Sequence, residues 1–421
     1  MEISASGDRI TADLLVVGGG ISGMTAAIEA SEFGKDAVLI EKEPFLGGRV
    51  VRMNQYFPKM CPPVCGLEIN LRRIRTNDRI KVLTLTEVTE VSGQKGDYEV
   101  TLTVSPRYIN NNCTACEECE KVCEIEVDDE FNFGLNKRKA VYFRNMAYPS
   151  LYVADPDYVK DPKFKACVDA CKYNAFDLDQ QPQTVTVKCK GIVWATGWKP
   201  YDAAKLDNLG FGQYDNVITN VMLERYSAEE GPTSGKISRP SDGGEIKKIG
   251  FVQCAGSRDE NHLPYCSGVC CSASLKQARY VRAQYPDAEI HIFYIDIRTP
   301  GRLEDFYQEL QSDEKVFFHR GKGADIKETG NKNLLISAEN TLTGELTEHE
   351  VELVVLATGM VPNAATDKLP ADTPLDDWGF LLPDAPSGII GAGVTNRPVE
   401  VAASVQDATG AVLKALTAER S

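Results

Sequence analysis

The chain has 421 residues, 43% hydrophobic and 25% charged, a globular composition long enough for two or three domains. A formal net charge of −15 excludes nucleic acid as the expected partner, because phosphate binding needs clustered Lys and Arg. No apolar run approaches the roughly 20 residues of a membrane span, and Met1 to Thr11 lacks the basic and apolar parts of a secretory leader. Thirteen cysteines without an export signal predict a reducing compartment, where such a chain binds metal more often than it forms disulfides.

The first element is the apolar run Asp13-Leu14-Leu15-Val16-Val17, which ends in Gly18-Gly19-Gly20-Ile21-Ser22-Gly23. A helical stretch, Met24 to Phe33, follows, then Ala37-Val38-Leu39-Ile40 and Glu41. This order of strand, G-x-G-x-x-G (Gly18, Gly20, Gly23), helix, strand and acid predicts dinucleotide binding. Glycine lets the backbone turn tightly and approach a pyrophosphate at the positive helix N-terminus, while Glu41 can accept ribose hydroxyls. Later landmarks are Gly47-Gly48-Arg49, Trp194-Ala195-Thr196-Gly197, Leu356-Ala357-Thr358-Gly359 and Ser387 to Gly393.

Those landmarks resemble thioredoxin-reductase-like flavoproteins, an α/β class with two doubly wound dinucleotide-binding domains. The resemblance implies FAD, held by Gly18, Gly20, Ile21, Ser22, Gly23, Glu41, Lys42, Gly48, Arg49, Ala195, Thr196, Gly197, Thr358, Gly359, Gly391 and Gly393. One departure touches the expected carboxylate contact to the flavin ribityl chain: the class usually has Gly-Asp at the last landmark, and here Val394 follows Gly393.

Cys61 and Cys65 flank two prolines, which predicts a loop. Leu67 to Ile74 then predicts a helix with Arg72, Arg73 and Arg75 on a solvated face, and Lys81 to Val104 predicts strands. Cys113, Cys116, Cys119 and Cys123 form C-x2-C-x2-C-x3-C, the bacterial ferredoxin run, whose first three thiolates hold one [4Fe–4S] cluster and whose fourth serves another. Zinc is the rival occupant. Only Cys167 and Cys171 follow as a second half, and by ferredoxin symmetry Cys171 completes the set of Cys113, Cys116 and Cys119. Cys123 and Cys167 are then two ligands short. Either Cys61 and Cys65 supply a third cluster, or these four are free thiols. Cys189, within Thr184 to Val193, reads as a core residue.

Ala204 to Glu245 is loop-rich and reads as a hinge. A second βαβ unit follows: strand Lys248 to Gln253, helix Ser272 to Gln284, strand Ile290 to Ile295 and Asp296. At its first turn, where a nicotinamide cofactor's phosphate loop would stand, Cys254, Cys266, Cys270 and Cys271 form C-x11-C-x3-C-C. Two adjacent cysteines among Ser, Gly and Asp fit an apolar core badly, so this pattern predicts a second [4Fe–4S] site. His262 within it reads as an exposed loop residue. Val351 to Val361 reads as a buried strand and its turn. The expected division is 1–105, the first part of an FAD domain; 106–180, an inserted ferredoxin-like domain; 181–245, the FAD-domain return and hinge; 246–355, the second βαβ domain; and 356–421, the C-terminal return.

FVQCAGSRDENHLPYCSGVCC, with VVGGGISG, CTACEECEKVC, WATGWKPYD and VVLATGMVPN, resembles the heterodisulfide-reductase A-subunit family over nearly the whole chain. The length and the segments PKMCPPVCGLEIN and FYIDIRTPGRLEDFYQEL look most like the branch serving a quinone-interacting membrane-bound oxidoreductase of sulfate reducers. That resemblance implies a cytoplasmic FAD and [4Fe–4S] electron-transfer component, attached to the inner membrane face through partner subunits. Electrons would pass between a menaquinol-linked partner and adenylylsulfate reductase. Two rival readings are an NAD(P)H-dependent disulfide reductase using Cys61 and Cys65, and a zinc-stapled scaffold retaining a nucleotide domain.

Overall fold

The apolar runs of the first unit become a five-stranded parallel sheet in the order Ile389–Gly391, Gly191–Trp194, Leu14–Val17, Ala37–Glu41 and Ile80–Thr84. A parallel sheet is covered on both faces, which is why these strands read as unbroken apolar runs. The computed structural model describes residues 9–144, 147–371, 373–383 and 387–417, so residues 1–8 of the leader reading lie outside the described residues. Leu14, Val16 and Leu39 point to the helix layer, packing with Met24 and Ala27 of Ile21–Glu32 and Ala408 of Val401–Thr417. Leu15, Val38 and Ile40 point the other way. They meet Val100, Leu102, Val185 and Val187 of a second, four-stranded sheet built from Arg9–Thr11, Gln183–Cys189, Asp97–Val104 and Thr86–Gln94. Cys189 is buried in that layer.

The second unit repeats the plan. Its parallel sheet runs Val217–Thr219, Leu353–Thr358, Lys248–Ala255, Glu289–Tyr294 and Val316–Arg320. Helices Asn220–Ser227, Cys270–Gln284 and Leu303–Gln311 pack on one face. A three-stranded meander, Gly323–Glu328, Leu334–Glu339 and Leu346–Val351, covers the other.

The stretch 204–245, expected as a hinge, is instead part of this second unit. It supplies the edge strand Val217–Thr219, the helix Asn220–Ser227 and the buried Ile237; Ile246 just beyond it is buried in the same core. A three-residue strand among Gly, Pro and Ser is too short to show a period, so its pairing could not be read from sequence. Two boundaries also shift: the strand expected to end at Gln253 runs to Ala255, and the helix expected from Ser272 begins at Cys270.

Between Asp97–Val104 and Gln183–Cys189 stands a small insert with its own core, in which Cys119, Cys123 and Cys167 pack with Ile125, Tyr152 and Phe164. Arg107 pins it to the first unit by donating to Thr84 Oγ1 at 2.7 Å and to the Pro44 carbonyl. Cys65 lies in the first turn of the helix Val64–Arg75, which buries Leu67 and Ile74 and leaves Arg72, Arg73 and Arg75 exposed, Arg73 pairing with Glu32.

Candidate cofactor cavity and thiol sites

A cavity of about 590 Å³ opens at the carboxyl ends of the first sheet's strands, against the N-terminus of Ile21–Glu32. Gly18 turns the chain there with φ +111°, and a Cβ would stand 2.3 Å from the Ala195 carbonyl oxygen. A Cβ on Gly23 would stand 1.7 Å from the Gly18 oxygen, so only glycine lets strand, turn and helix close on one another. The first N–H groups of a helix have no intrahelical partner, and here Ile21 and Ser22, which carry two of them, line the cavity.

Glu41 ends the second strand, 8% exposed. Burial pushes its carboxyl up, opposed by N–H bonds from Glu43 at 2.9 Å and Gly19 at 2.6 Å. Each oxygen keeps a lone pair for a ribose hydroxyl. Arg49 donates from Nε to the Trp198 carbonyl at 3.0 Å and stands over the Trp198 and Phe133 rings. Its Nη1 is buried with no partner among the described residues, and burial lowers the guanidinium to about 10, still charged at neutral pH. A buried charged donor without an acceptor is costly, so this cavity suits a ligand with phosphate or carbonyl oxygens. An FAD fits that requirement.

Of the residues expected to hold the dinucleotide, Gly18, Gly20, Ile21, Ser22, Glu41, Lys42, Gly48, Arg49, Ala195, Thr196 and Gly197 line the cavity. Gly23, Thr358, Gly359, Gly391 and Gly393 do not. Gly23 packs on Gly18, and Gly391 and Gly393 form the last strand end and its turn. Thr358 and Gly359 lie at the cysteine turn, where a Gly359 Cβ would meet Ser257 Oγ at 2.2 Å. A carboxylate does reach the last landmark from an unexpected direction: Asp407 of Val401–Thr417 accepts from Gly393 N at 2.8 Å and Asn396 Nδ2 at 2.9 Å. Val394 lines the cavity.

Three cavity residues escaped the sequence reading. Lys276 and Glu224 form an ion pair at 2.9 Å, 1% and 8% exposed, and Gln277 Nε2 donates to Glu224 Oε1 at 2.7 Å. Lys276 Nζ also donates to the Gln55 carbonyl at 2.7 Å. The available signal was spacing: Ala273, Lys276 and Gln277 share one face at i, i+3 and i+4 of the helix Cys270–Gln284.

That same helix begins with the thiols. Lys248–Ala255 bulges between Val252 and Ala255, and Cys254 there takes φ +56°. Cys266 sits on the following loop, its Sγ 3.3 Å from Gly268 N, and Cys270 and Cys271 are the first helical residues. Cys270 Sγ lies 3.6 Å from the Thr358 carbonyl and Cys271 Sγ 3.8 Å from that of Asp296. Burial pushes the Cys270 thiol up, as do its neighbours Cys271, Cys254 and Cys266; Cys271 rises to about 11. Burial disfavours the thiolates of Cys254, Cys270 and Cys271, so this set of four cysteines suits a polycationic iron–sulfur core, whose charge offsets desolvated thiolates. His262, read as exposed, is half-buried, with Nδ1 2.7 Å from Tyr201 Oη. The Tyr201 ring lies over the turn, 2.4 Å from where a Gly256 Cβ would stand.

In the insert, burial and then the nearby Cys113 and Cys171 raise Cys119 to about 12. Cys116 is exposed on the same loop. Cys123 and Cys167 meet in the insert core, where burial and a thiol–thiol hydrogen bond raise Cys167 to about 12. Cys61 is half-buried and Cys65 exposed, both outside that core.

The two sites adjoin. Val269 and Met360 line the flavin-type cavity, while Cys270 follows Val269 and touches the carbonyl of Thr358, two residues before Met360. The insert also reaches the cavity, through Phe133. Among the described residues, no helix is long and apolar enough to cross a membrane.

Comparison with known proteins places these features. Residues 13–102 match the family described as FAD dependent oxidoreductase. The chain is 37% identical over 426 residues to an iron–sulfur A-subunit of the CoB–CoM heterodisulfide reductase of Methanopyrus kandleri, covering 97% of this chain and 64% of that protein. It is 34% identical over 428 residues to the A-subunit of the H2:CoB–CoM heterodisulfide,ferredoxin reductase of Methanothermobacter thermautotrophicus, covering 98% and 65%. The chain thus spans just under two thirds of the length of these relatives. In fold it is similar to the thioredoxin reductase of T. acidophilum, with a TM-score of 0.54 at 14% identity over 98% of this chain and 99% of that one. The chain is similar over nearly its whole length to the A-subunits of heterodisulfide reductases, and its fold is thioredoxin-reductase-like.

Proposed function

We propose that this chain is the FAD- and [4Fe–4S]-bearing electron-transfer component of a membrane-associated complex, passing electrons between a quinol-linked partner and adenylylsulfate reductase. The observation that carries the electron-transfer reading is the shared helix Cys270–Gln284: its first residues are two of the four thiols, and Ala273, Lys276 and Gln277 face the FAD cavity. Bound FAD exchanges electrons in pairs or singly and each cluster carries one, so adjoining sites can divide a two-electron event. The chain's own residues do the positioning. Gly18 to Ser22 and Glu41 seat the dinucleotide, Arg49 offers its spare N–H, and the Lys276–Glu224 pair fixes a charge-balanced wall. Cys254, Cys266, Cys270 and Cys271 would hold one cluster, and Cys113, Cys116, Cys119 and Cys171 another.

A stand-alone NAD(P)H-dependent disulfide reductase is disfavoured on two grounds. Neither Cys61 nor Cys65 lines the cavity, and the second unit's first turn is filled by thiols and covered by Tyr201. The sulfate-respiration assignment rests on the sequence resemblance, including PKMCPPVCGLEIN and FYIDIRTPGRLEDFYQEL. Attachment to the inner membrane face would come through partner subunits. The test is anaerobic: NADH added to the isolated protein leaves the flavin oxidised, whereas the complex rebuilt with its quinone-reactive partner moves electrons between a menaquinol analogue and adenylylsulfate reductase. Rapid, saturable flavin bleaching by NADH overturns the reading. Iron per flavin, about eight atoms against about twelve, shows whether Cys61, Cys65, Cys123 and Cys167 hold a third cluster.

A further inference from the structure

Three of the chain's four histidines meet on the second unit, away from both redox sites. His291 lies on Glu289–Tyr294, His319 on Val316–Arg320 and His349 on Leu346–Val351. In the register of the two parallel strands His291 pairs with Phe317 and Phe293 with His319, so both imidazoles stand on one face of the sheet. The meander packs over that face and brings in His349, whose ring centroid is 4.2 Å from that of His319. One ring nitrogen from each of the three lies within 4.8 Å of the others.

We propose that His291, His319 and His349 form a binding site for a zinc-class divalent cation, joining the meander to the second parallel sheet. Three observations support it. First, His291 Nδ1 and His319 Nε2 face each other at 2.9 Å as a hydrogen-bonded pair, one N–H to one lone pair, so a cation between them would take the place of that single shared proton once the donor ring changes tautomer. Second, the Nε2 of His349 is buried with no hydrogen-bond partner among the described residues, which a ring stacked for apolar packing alone would not require. Third, His291 Nε2 points to Glu289 Oε2 at 3.9 Å, the outer carboxylate that a metal-bound histidine commonly engages with its far N–H. Imidazole nitrogen is the donor that zinc and its first-row neighbours accept. Phe293 stacks on His319 at 4.8 Å and fixes its ring plane. The site is separate from the thiol turn: the histidines lie on the face covered by the meander, whereas Cys270 and Cys271 open the helix Cys270–Gln284, which packs on the other face.

The test uses the anaerobically purified holoprotein, equilibrated with zinc chloride and freed of excess, with FAD and iron quantified alongside. Wild type is expected to retain about one more zinc per chain than His319→Gln. The fine structure at its zinc absorption edge should show a first shell dominated by nitrogen. Equal zinc in both proteins, a sulfur-dominated shell, or no zinc retained by wild type overturns the site. FAD and iron contents matching wild type certify the variant's fold. If His319→Gln fails that check, His349→Gln on the meander gives the same comparison, and the wild-type edge spectrum decides by itself.

Discussion

The first turns of the two parallel units solve one electrostatic problem in two ways. In the first unit three residues, Gly18 to Gly20, separate the strand Leu14–Val17 from the helix Ile21–Glu32, leaving a polar cavity at the helix N-terminus. In the second, residues 256–269 separate Lys248–Ala255 from Cys270–Gln284, and thiols close around the same position. A helix N-terminus favours negative charge whether it arrives as a pyrophosphate or as metal-bound thiolates. The difference is what the turn withholds. Glycine withholds side chains so that a diffusible ligand can approach, whereas the bulge at Cys254 and the long loop to Cys266 bring side chains in.

Two substitutions break this comparison from opposite ends. Cys270→Ser should remove the iron of one cluster, about four atoms per chain, while FAD stays bound, measured by iron and flavin content after anaerobic purification. Simultaneous loss of FAD would mean that the turn serves the fold rather than a separable electron station. Gly23→Ala should do the converse, because its Cβ would stand 1.7 Å from the Gly18 oxygen and must spread the first turn. FAD affinity should fall ~100-fold, about 3 kcal/mol, with iron content unchanged. Wild-type FAD affinity in this variant would show that the turn has slack the geometry denies.

The first turn was the more legible of the two in sequence. Its strand, glycines, helix and Glu41 are local, and periodicity plus one motif suffices to order them. The thiol turn was legible as a motif, C-x11-C-x3-C-C, but its geometry was not. The left-handed Cys254 and the helix start at Cys270 depend on pairing with Leu353–Thr358, about a hundred residues away in sequence. The same limit hid the rest. Val217–Thr219 is too short to show a period, and the Lys276–Glu224 pair joins two helices whose neighbourhood no local window displays. The histidine trio is the extreme case: 291, 319 and 349 share no motif and meet only because two parallel strands and a meander stack in register.

The smallest effect sharpens the comparison from the insert. The first cavity borrows a wall from that unit, through Phe133, and the turn carrying it is held by Asp129. The Asp129 carboxylate accepts from Phe131 N at 3.1 Å and Asn132 Nδ2 at 2.9 Å and pairs with Arg144. Burial alone would raise this carboxyl, but the Arg144 hydrogen bond and charge, with the Phe131 N–H, hold it below its ordinary 3.8. A carboxyl depressed on folding stabilises fully above its unfolded value and ceases to do so as pH falls through the lower folded value. Asp129→Asn should therefore cost on the order of 1–2 kcal/mol at pH 7, read from denaturant midpoints followed by flavin fluorescence. The gap between variant and wild type should narrow as pH falls below about 4, and taking the difference between the two proteins cancels the acid sensitivity they share. A gap that stays constant with pH would place the contribution of Asp129 in its neutral hydrogen bonds rather than in its charge, and would detach the cavity wall from the Arg144 pair.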